Sequence, residues 1–383
     1  MKGKHIVIVG PAHPLRGGLA TFNERFAREL SKENKVTLLS FSLQYPGFLF
    51  PGQTQFTDEP APTDLEIDTA LNSVNPFNWI TVGRKYKKLR PDLIIFRYWM
   101  PFFGPCFGTF ARIVKQNKHT RVVCIADNII PHEKRFFDKS FNSYFLPVLD
   151  GAVTMSRKVL QDLDDLHFNK PKVYNPHPLY DNFGDALPRE QALQELGLPV
   201  EGKYLLFFGF IRRYKGLDLL LEAMANEQVK QTGVKLIVAG EFYEDAAPYH
   251  EQIKQLGIAD RVILKTEFIP NSKVALYFSA ADLVVQPYRS ATQSGVSQVA
   301  YHFNKPMVIT DVGGLAESVP NEKVGFVVAP EPEAIATGIA RFFNENRAQE
   351  FIGNMEEAKA PFSWEKLVES VEGVAFKQRL LDA

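Results

Sequence analysis

From residue 5 onward, short runs of Val, Ile, Leu and Phe alternate with longer segments whose apolar residues recur every three to four positions. Runs that are apolar throughout predict strands covered on both faces, and their alternation with helical segments predicts parallel α/β structure. In the first half the runs are "HIVIVG" (5–10), "KVTLLSF" (35–41), "DLIIFRY" (92–98), "RVVCIA" (121–126) and "GAVTM" (151–155). Helical spacing covers about 19–31, 76–89, 102–116 and 156–166. The series then restarts with "KYLLFFG" (203–209), "VKLIVAG" (234–240), "RVILK" (261–265), "DLVVQ" (282–286) and "PMVIT" (306–310).

Between the two series, 170–188 ("KPKVYNPHPLYDNFGDALP") is rich in Pro, Asn and Gly and poor in periodicity, and reads as a hinge. A second irregular stretch, 44–62, carries Pro46, Pro51, Pro60 and Pro62 and reads as a long insertion. The terminal "FSWEKLVESVEGVAFKQRLLDA" predicts a helix capped by Ser363, with Glu365 in its first turn. A chain of 383 residues exceeds one ordinary core, so two α/β domains are expected, 1–180 and 181–360.

Charge removes some functions. Lys+Arg and Asp+Glu both number 44, which argues against a nucleic-acid partner. Two cysteines, Cys106 and Cys124, lack metal-ligand spacing and suit a reducing cytoplasm. No apolar run reaches the length of a membrane span, and Ile6 to Val9 is too short for a signal peptide.

Four constellations can carry chemistry. In "RRYKGLDLLLEAM" (212–224), Arg212 and Lys215 stand between a strand ending at Gly209 and a helix whose Leu217, Leu220, Leu221 and Met224 share a face. Ligands of doubly wound sheets bind at that edge, and the helix N-terminus favours an anion. In "GPAHPLRGGLATFNERFAREL" (10–30), Gly17 and Gly18 permit close backbone approach to a phosphate or sugar oxygen. In "PYRSATQSGVSQVAYHF" (287–303), Ala291 to Gly295 lead into a helix beginning near Val296. In "ADNIIPHEKR" (126–135), Asp127, Asn128, His132 and Glu133 gather polar groups after a strand. Each has a plain alternative: solvated charges, a tight turn, a Ser-capped helix, a surface histidine. No G-x-S-x-G, H-E-x-x-H or Walker A motif occurs.

Taken together, the glycine pair, the polar strand-end loop, the "RRYKG" helix start and "PMVITDVGGLAE" (306–317) resemble family 4 of the retaining glycosyltransferases. The resemblance implies the GT-B fold, two Rossmann-like domains facing across a cleft, with 361–383 returning to the first domain. It implies that Gly17 and Gly18 lie beside the donor phosphates and the acceptor, and that Lys215 contacts the donor pyrophosphate. Phe210 stands where the family carries Arg after the glycine matched by Gly209, and Arg212 is the candidate substitute. The family's paired glutamates would fall near Ala291 and Val299, which are not acidic. The stretch instead resembles a branch with a Gln-Ser-Gly run, making Gln293, Ser294, Gly295, Val296 and Gln298 donor-binding candidates. In that branch's "H-N-x-x-P-H-E" loop, Asp127 stands at the first His, while His132 and Glu133 match.

The implied reaction moves a sugar from a nucleotide diphosphate sugar to an acceptor hydroxyl with retained anomeric configuration. The catalytic candidates are Arg212, Lys215, Asp127 and His132. The nucleotide-sugar is a substrate, so no cofactor is expected, and the cations can neutralise the leaving group without a metal. Two other classes stay open: a binding protein that has lost catalysis, and a nucleotide-sugar epimerase of the same fold. For the acceptor, "GRKYKKLR" (83–90), preceded by Phe77, Trp79 and Ile80, and the aromatic "YWMPFFGPCFGTFAR" (98–112) allow two readings. They are core stripe and solvated helix end, or a peripheral contact with an anionic inner-leaflet surface presenting a lipid-linked or glycan acceptor.

Overall fold

The computed structural model describes residues 1–47, 54–130 and 136–376. They form two compact units, one holding Met1–Pro178 and the chain from Phe362 onward, the other Leu179–Pro361.

The first unit's strands are β1 (His5–Val9), β2 (Lys35–Leu43), β3 (Glu66–Asn72), β4 (Leu93–Tyr98), β5 (Arg121–Ala126), β6 (Gly151–Thr154) and β7 (Lys172–Tyr174). They make one parallel sheet in the order β3-β2-β1-β4-β5-β6-β7. Its helices are α1 (Gly18–Ser31), α2 (Pro76–Leu89), α3 (Gly104–Lys115), α4 (Asp138–Phe145) and α5 (Arg157–Asp165). Side-chain caps start two of them. Asn75 accepts from the Phe77 and Asn78 amides ahead of α2, and Ser156 from the Val159 amide ahead of α5.

In the second unit β8 (Tyr204–Phe208), β9 (Lys235–Ala239), β10 (Val262–Lys265), β11 (Leu283–Gln286), β12 (Met307–Thr310) and β13 (Gly325–Val328) run parallel in the order β10-β9-β8-β11-β12-β13. Around them lie α6 (Arg189–Glu195), α7 (Leu217–Ala225), α8 (Glu227–Gln231), α9 (Ala247–Gln255), α10 (Asn271–Ala280), α11 (Gly295–His302), α12 (Pro332–Asn344), α13 (Ala348–Gly353) and α14 (Met355–Lys359). The final helix, α15 (Trp364–Phe376), packs in the first unit. There Trp364 meets Phe22 and Phe26 of α1 at ring separations of 4.9 and 6.2 Å.

Three strands lie outside the continuous apolar runs. β3 is an edge strand whose exposed and half-buried positions include Glu66, Asp68 and Thr69, so no run marks it. β13 closes the other sheet in four residues. β7 lies inside the stretch read as a hinge: three residues between Pro171 and Asn175 are too few to show a period, yet they pair with Ala152, Val153 and Thr154. The hinge reading therefore fails for 172–174. The insertion is also less free than its prolines suggest. Phe56 bridges Leu15, and the Arg16 and Thr57 amides donate to Gln55 and Pro14 carbonyls at 3.0 and 2.9 Å. Pro51 lies outside the described residues.

Candidate functional site

In the second unit the chain leaves β8 toward β9 and leaves β11 toward β12, so the loops after β8 and β11 diverge at the carboxyl edge. Crevices of this kind take the ligand in doubly wound sheets. The loop after β8 opens with Gly209 at φ 93° and turns through a short 3₁₀ segment, Arg213–Lys215, into α7. Gly216, at φ 67°, makes that turn against the Pro287 carbonyl, where a Cβ would collide.

Lys215 folds back under Gly209: a Cβ placed on Gly209 would stand 2.9 Å from its Nζ. The side chain is 9% exposed, and Nζ makes no hydrogen bond or ion pair among the described residues. Nζ lies 5.6 Å from the centre of the Tyr288 ring. Burial, then the Arg212 charge, pushes the ammonium down to about 8. Arg212 is exposed, lies 5.2 Å over the Tyr243 ring, and likewise has no ion pair among the described residues. Phe210 stacks on the same residue, its ring 4.1 Å from that of Tyr243, so Arg212 and Phe210 share one aromatic partner. Arg212 and Lys215 are thus adjacent cations with no ion pair among the described residues, an arrangement able to hold an anion, since an uncompensated buried charge is otherwise unfavourable.

The loop after β11 supplies the opposite wall. Ser294 caps α11, its Oγ accepting from the Val296 amide at 3.2 Å and lying 3.4 Å from the Tyr288 hydroxyl. Val296 approaches the Gly209 position to 3.9 Å, so Gly209, Lys215 and Val296 converge. Gly295 is required because Tyr180 packs on it; a Cβ would stand 2.8 Å from the Tyr180 ring. Gln298 is 2% exposed and its Oε1 has no partner among the described residues. Gln293 precedes the cap on the same loop and has partners of its own. Ala291 and Val299, where glutamates were sought, are buried apolar positions. Gly313, at φ 52°, presses on the Ala291 carbonyl, which also accepts from the Gly314 amide at 3.1 Å. The "VGGLAE" segment thus braces the loop that carries Gln293 and Ser294.

In the first unit the corresponding divergence lies between β1 and β4. Gly17, at φ 104°, precedes α1, which starts at Gly18 with no side-chain cap. The His13 amide in that loop donates to Glu24 at 2.8 Å, and burial raises the Glu24 carboxyl above its ordinary range. Asp127 follows β5 and is buried, with Oδ1 accepting from Arg97 Nη2 at 2.6 Å. His132 and Glu133 lie outside the described residues.

Sequence patterns missed Arg97, Tyr288 and Tyr180. Arg97 is hidden inside the apolar run "DLIIFRY", and the other two act through contacts distant in the chain. Among the described residues no group of three His, Cys, Asp or Glu side chains is placed to hold a metal ion. Cys106 and Cys124 are buried free thiols, which burial pushes up.

The class that the fold defines is the two-domain Rossmann-like architecture of GT-B glycosyltransferases, and solved structures match it over nearly the whole chain. HepE of Anabaena, in complex with UDP and glucose, superposes with a TM-score of 0.74 at 16% identity, covering 97% of this chain and 100% of that one. Sucrose-phosphate synthase of Thermosynechococcus elongatus gives 0.73 at 16% identity, over 97% and 98%. More particularly, residues 188–358 match the family Glycosyl transferases group 1. D-inositol 3-phosphate glycosyltransferase 2 of Catenulispora acidiphila is 32% identical over 186 residues, 46% of this chain and 43% of that protein. An uncharacterized glycosyltransferase of Methanocaldococcus jannaschii is 26% identical over 235 residues, 58% and 59% of the two chains. The chain spans about half the length of the curated relatives it matches.

Proposed function

We propose that the protein is a glycosyltransferase that moves a sugar from a nucleotide diphosphate sugar to an acceptor hydroxyl with retention, as in family 4. The observation that carries this reading is Lys215: a buried ammonium with no ion pair among the described residues, beside Arg212, at the divergence of β8 and β11. A leaving nucleoside diphosphate gains negative charge as the glycosidic bond breaks, and preorganised cations there stabilise the transition state most. Amides at the α11 N-terminus would add to them. Gly209 and Gly295 to Val296 let the phosphates approach the backbone, and Gln293 and Gln298 supply amides for sugar or ribose hydroxyls. Gly17 and Gly18 serve the same end in the first unit, with Asp127 and His132 as the polar groups of its loop. No metal or cofactor is required in this scheme.

The acceptor is proposed to be a glycan or a lipid-linked sugar at an anionic cytoplasmic membrane face. The aromatic stretch 98–112 contributes little to such contact, because Phe103, Phe107 and Phe110 are fully buried in the core. What supports the contact is α2. Phe77 is 81% exposed at its start, and Arg84 and Lys88 are exposed without ion pairs among the described residues. Lys85 is held by Asp68, and Arg90 by the Asn117 carbonyl.

The reading is tested by mass-spectrometric screening of UDP-, GDP- and ADP-sugars for turnover, with NMR of the released or transferred sugar. Cleavage of one donor with retained anomeric configuration is expected. Binding of a nucleoside diphosphate without turnover would favour the impaired binding protein. Conversion to an epimeric sugar without acceptor would favour the epimerase.

A further inference from the structure

A buried ammonium ordinarily has a counter-ion, and Lys215 has no ion pair among the described residues. What stands beneath it is the ring of Tyr288, two residues beyond β11 and 3% exposed. The seam between the two loops fixes this residue. The Thr310 hydroxyl donates to the Tyr288 carbonyl at 2.6 Å, and the Arg289 amide donates to the Tyr214 carbonyl at 2.7 Å. On the other side the Pro287 carbonyl fills the space at Gly216. So held, Tyr288 places its ring 5.6 Å below Lys215 Nζ. Its hydroxyl lies 3.4 Å from the Ser294 Oγ that accepts the Val296 amide. One side chain thus touches both walls of the site.

The charged groups on the surrounding elements are engaged elsewhere. Asp218 at the start of α7 pairs with Arg289, and Glu244 after β9 takes the Arg213 amide and the Tyr249 hydroxyl. Glu241, also after β9, is buried and makes no ion pair with Lys215. α11 carries no charged side chain before His302, and Arg212 on the same loop repels. A carboxylate facing Nζ would hold the ammonium but cancel its charge toward any anion. An aliphatic side chain would leave the charge unsupported and favour loss of the proton. The face of an aromatic ring attracts a cation while carrying no charge of its own. Burial pushes the Tyr288 phenol up, so it stays protonated and neutral beside Ser294.

We propose that Tyr288 is a positioning residue: its ring stands in for a counter-ion beneath Lys215, leaving the cation free for an anion, and its hydroxyl steadies the Ser294 cap of α11. The role toward Lys215 is a property of the free protein. The role toward Ser294, read through ligand binding, rests on the glycosyltransferase reading.

The test follows Lys215 by NMR of isotope-labelled lysine through a pH titration of the intact, ligand-free protein, with Lys215→Arg identifying its signal. The parent should titrate near 8. Tyr288→Leu should lower that midpoint by about half a unit to one unit, and Tyr288→Phe, which keeps the ring, by less than about 0.3. Loss of packing alone admits water and moves the midpoint the other way, toward 10.5. Should Tyr288→Leu fail to fold, Tyr288→Met, flexible and without a ring, replaces it. UDP, GDP and ADP are then titrated in turn, and the tightest serves as the probe. Tyr288→Phe should raise its Kd about two- to tenfold, an effect that disappears when Ser294→Ala is already present. An unchanged or raised midpoint in the ringless variant would overturn the proposal. So would a midpoint in Tyr288→Phe as low as in that variant, or a Tyr288→Phe effect on Kd that survives in full beside Ser294→Ala. Failure of the parent to bind any of the three, together with no turnover in the donor panel, would remove the transferase reading and leave the midpoints to decide the role of the ring.

Discussion

At the scale of single residues, Lys215 ties site chemistry to pH. Its ammonium, lowered from 10.5 to about 8, is charged at pH 7 and half neutral near pH 8. If the charged form binds the pyrophosphate, Kd should be flat below about pH 7 and rise toward tenfold per pH unit above 8. Calorimetric titration of nucleoside diphosphate over about 1.5 pH units on either side of 8 checks this. Lys215→Arg, which stays charged, should abolish the slope, and Lys215→Ala should cost about 2–4 kcal/mol in kcat/KM. The free protein should respond in the opposite sense. The unfolded chain binds the proton up to 10.5 and the folded one only to about 8, so this group destabilises the fold at neutral pH and the penalty fades as pH rises between those values.

At the scale of elements, the loop after β11 depends on Gly313. Its φ of 52° and the Ala291 carbonyl beneath it leave no place for a side chain. Gly313→Ala should cost more than about 1 kcal/mol of stability and weaken nucleotide binding through the displaced Gln293–Ser294 segment. Gly353→Ala, with open space around it, should do neither. Thermal melts and titrations of the two variants decide it. Elements were legible from sequence wherever burial on both faces produced an unbroken apolar run, as in β1, β4, β5, β8 and β9, or where a cap marked a helix, as at Ser363, whose Oγ accepts from the Lys366 amide at 3.2 Å. Edge strands were not: β3 is half exposed and β7 too short to carry a period. The candidate site could be proposed from sequence at Arg212, Lys215 and the Gln-Ser-Gly loop because glycines and helix starts leave local marks. Arg97 and Tyr180 leave none, since each acts on a partner far along the chain.

At the scale of the whole molecule, zero net charge hides an uneven surface. Among the described residues no helix is long and apolar enough to cross a membrane. Basic residues near an anionic surface contribute roughly 1 kcal/mol each, so under the proposed acceptor reading Arg84 and Lys88 with Phe77 would give a weak, reversible attachment. Flotation with liposomes containing anionic lipid at low salt should recover the protein. High salt or neutral lipid should release it, as should Arg84→Glu/Lys88→Glu. Absence from anionic liposomes at low salt would leave a soluble acceptor.

The placement of α15 in the first unit also bears on how the protein is made. A ribosome completes the second unit's residues before it emits Trp364, which closes over Phe22 and Phe26, and Val374, whose carbonyl would lie 2.7 Å from a Cβ on Gly151. The α1 side of the first sheet therefore waits through about half of translation with an apolar surface uncovered. The domain begun first is finished last, and a nascent chain arrested within 188–358 carries a glycine loop whose supporting helix does not yet exist.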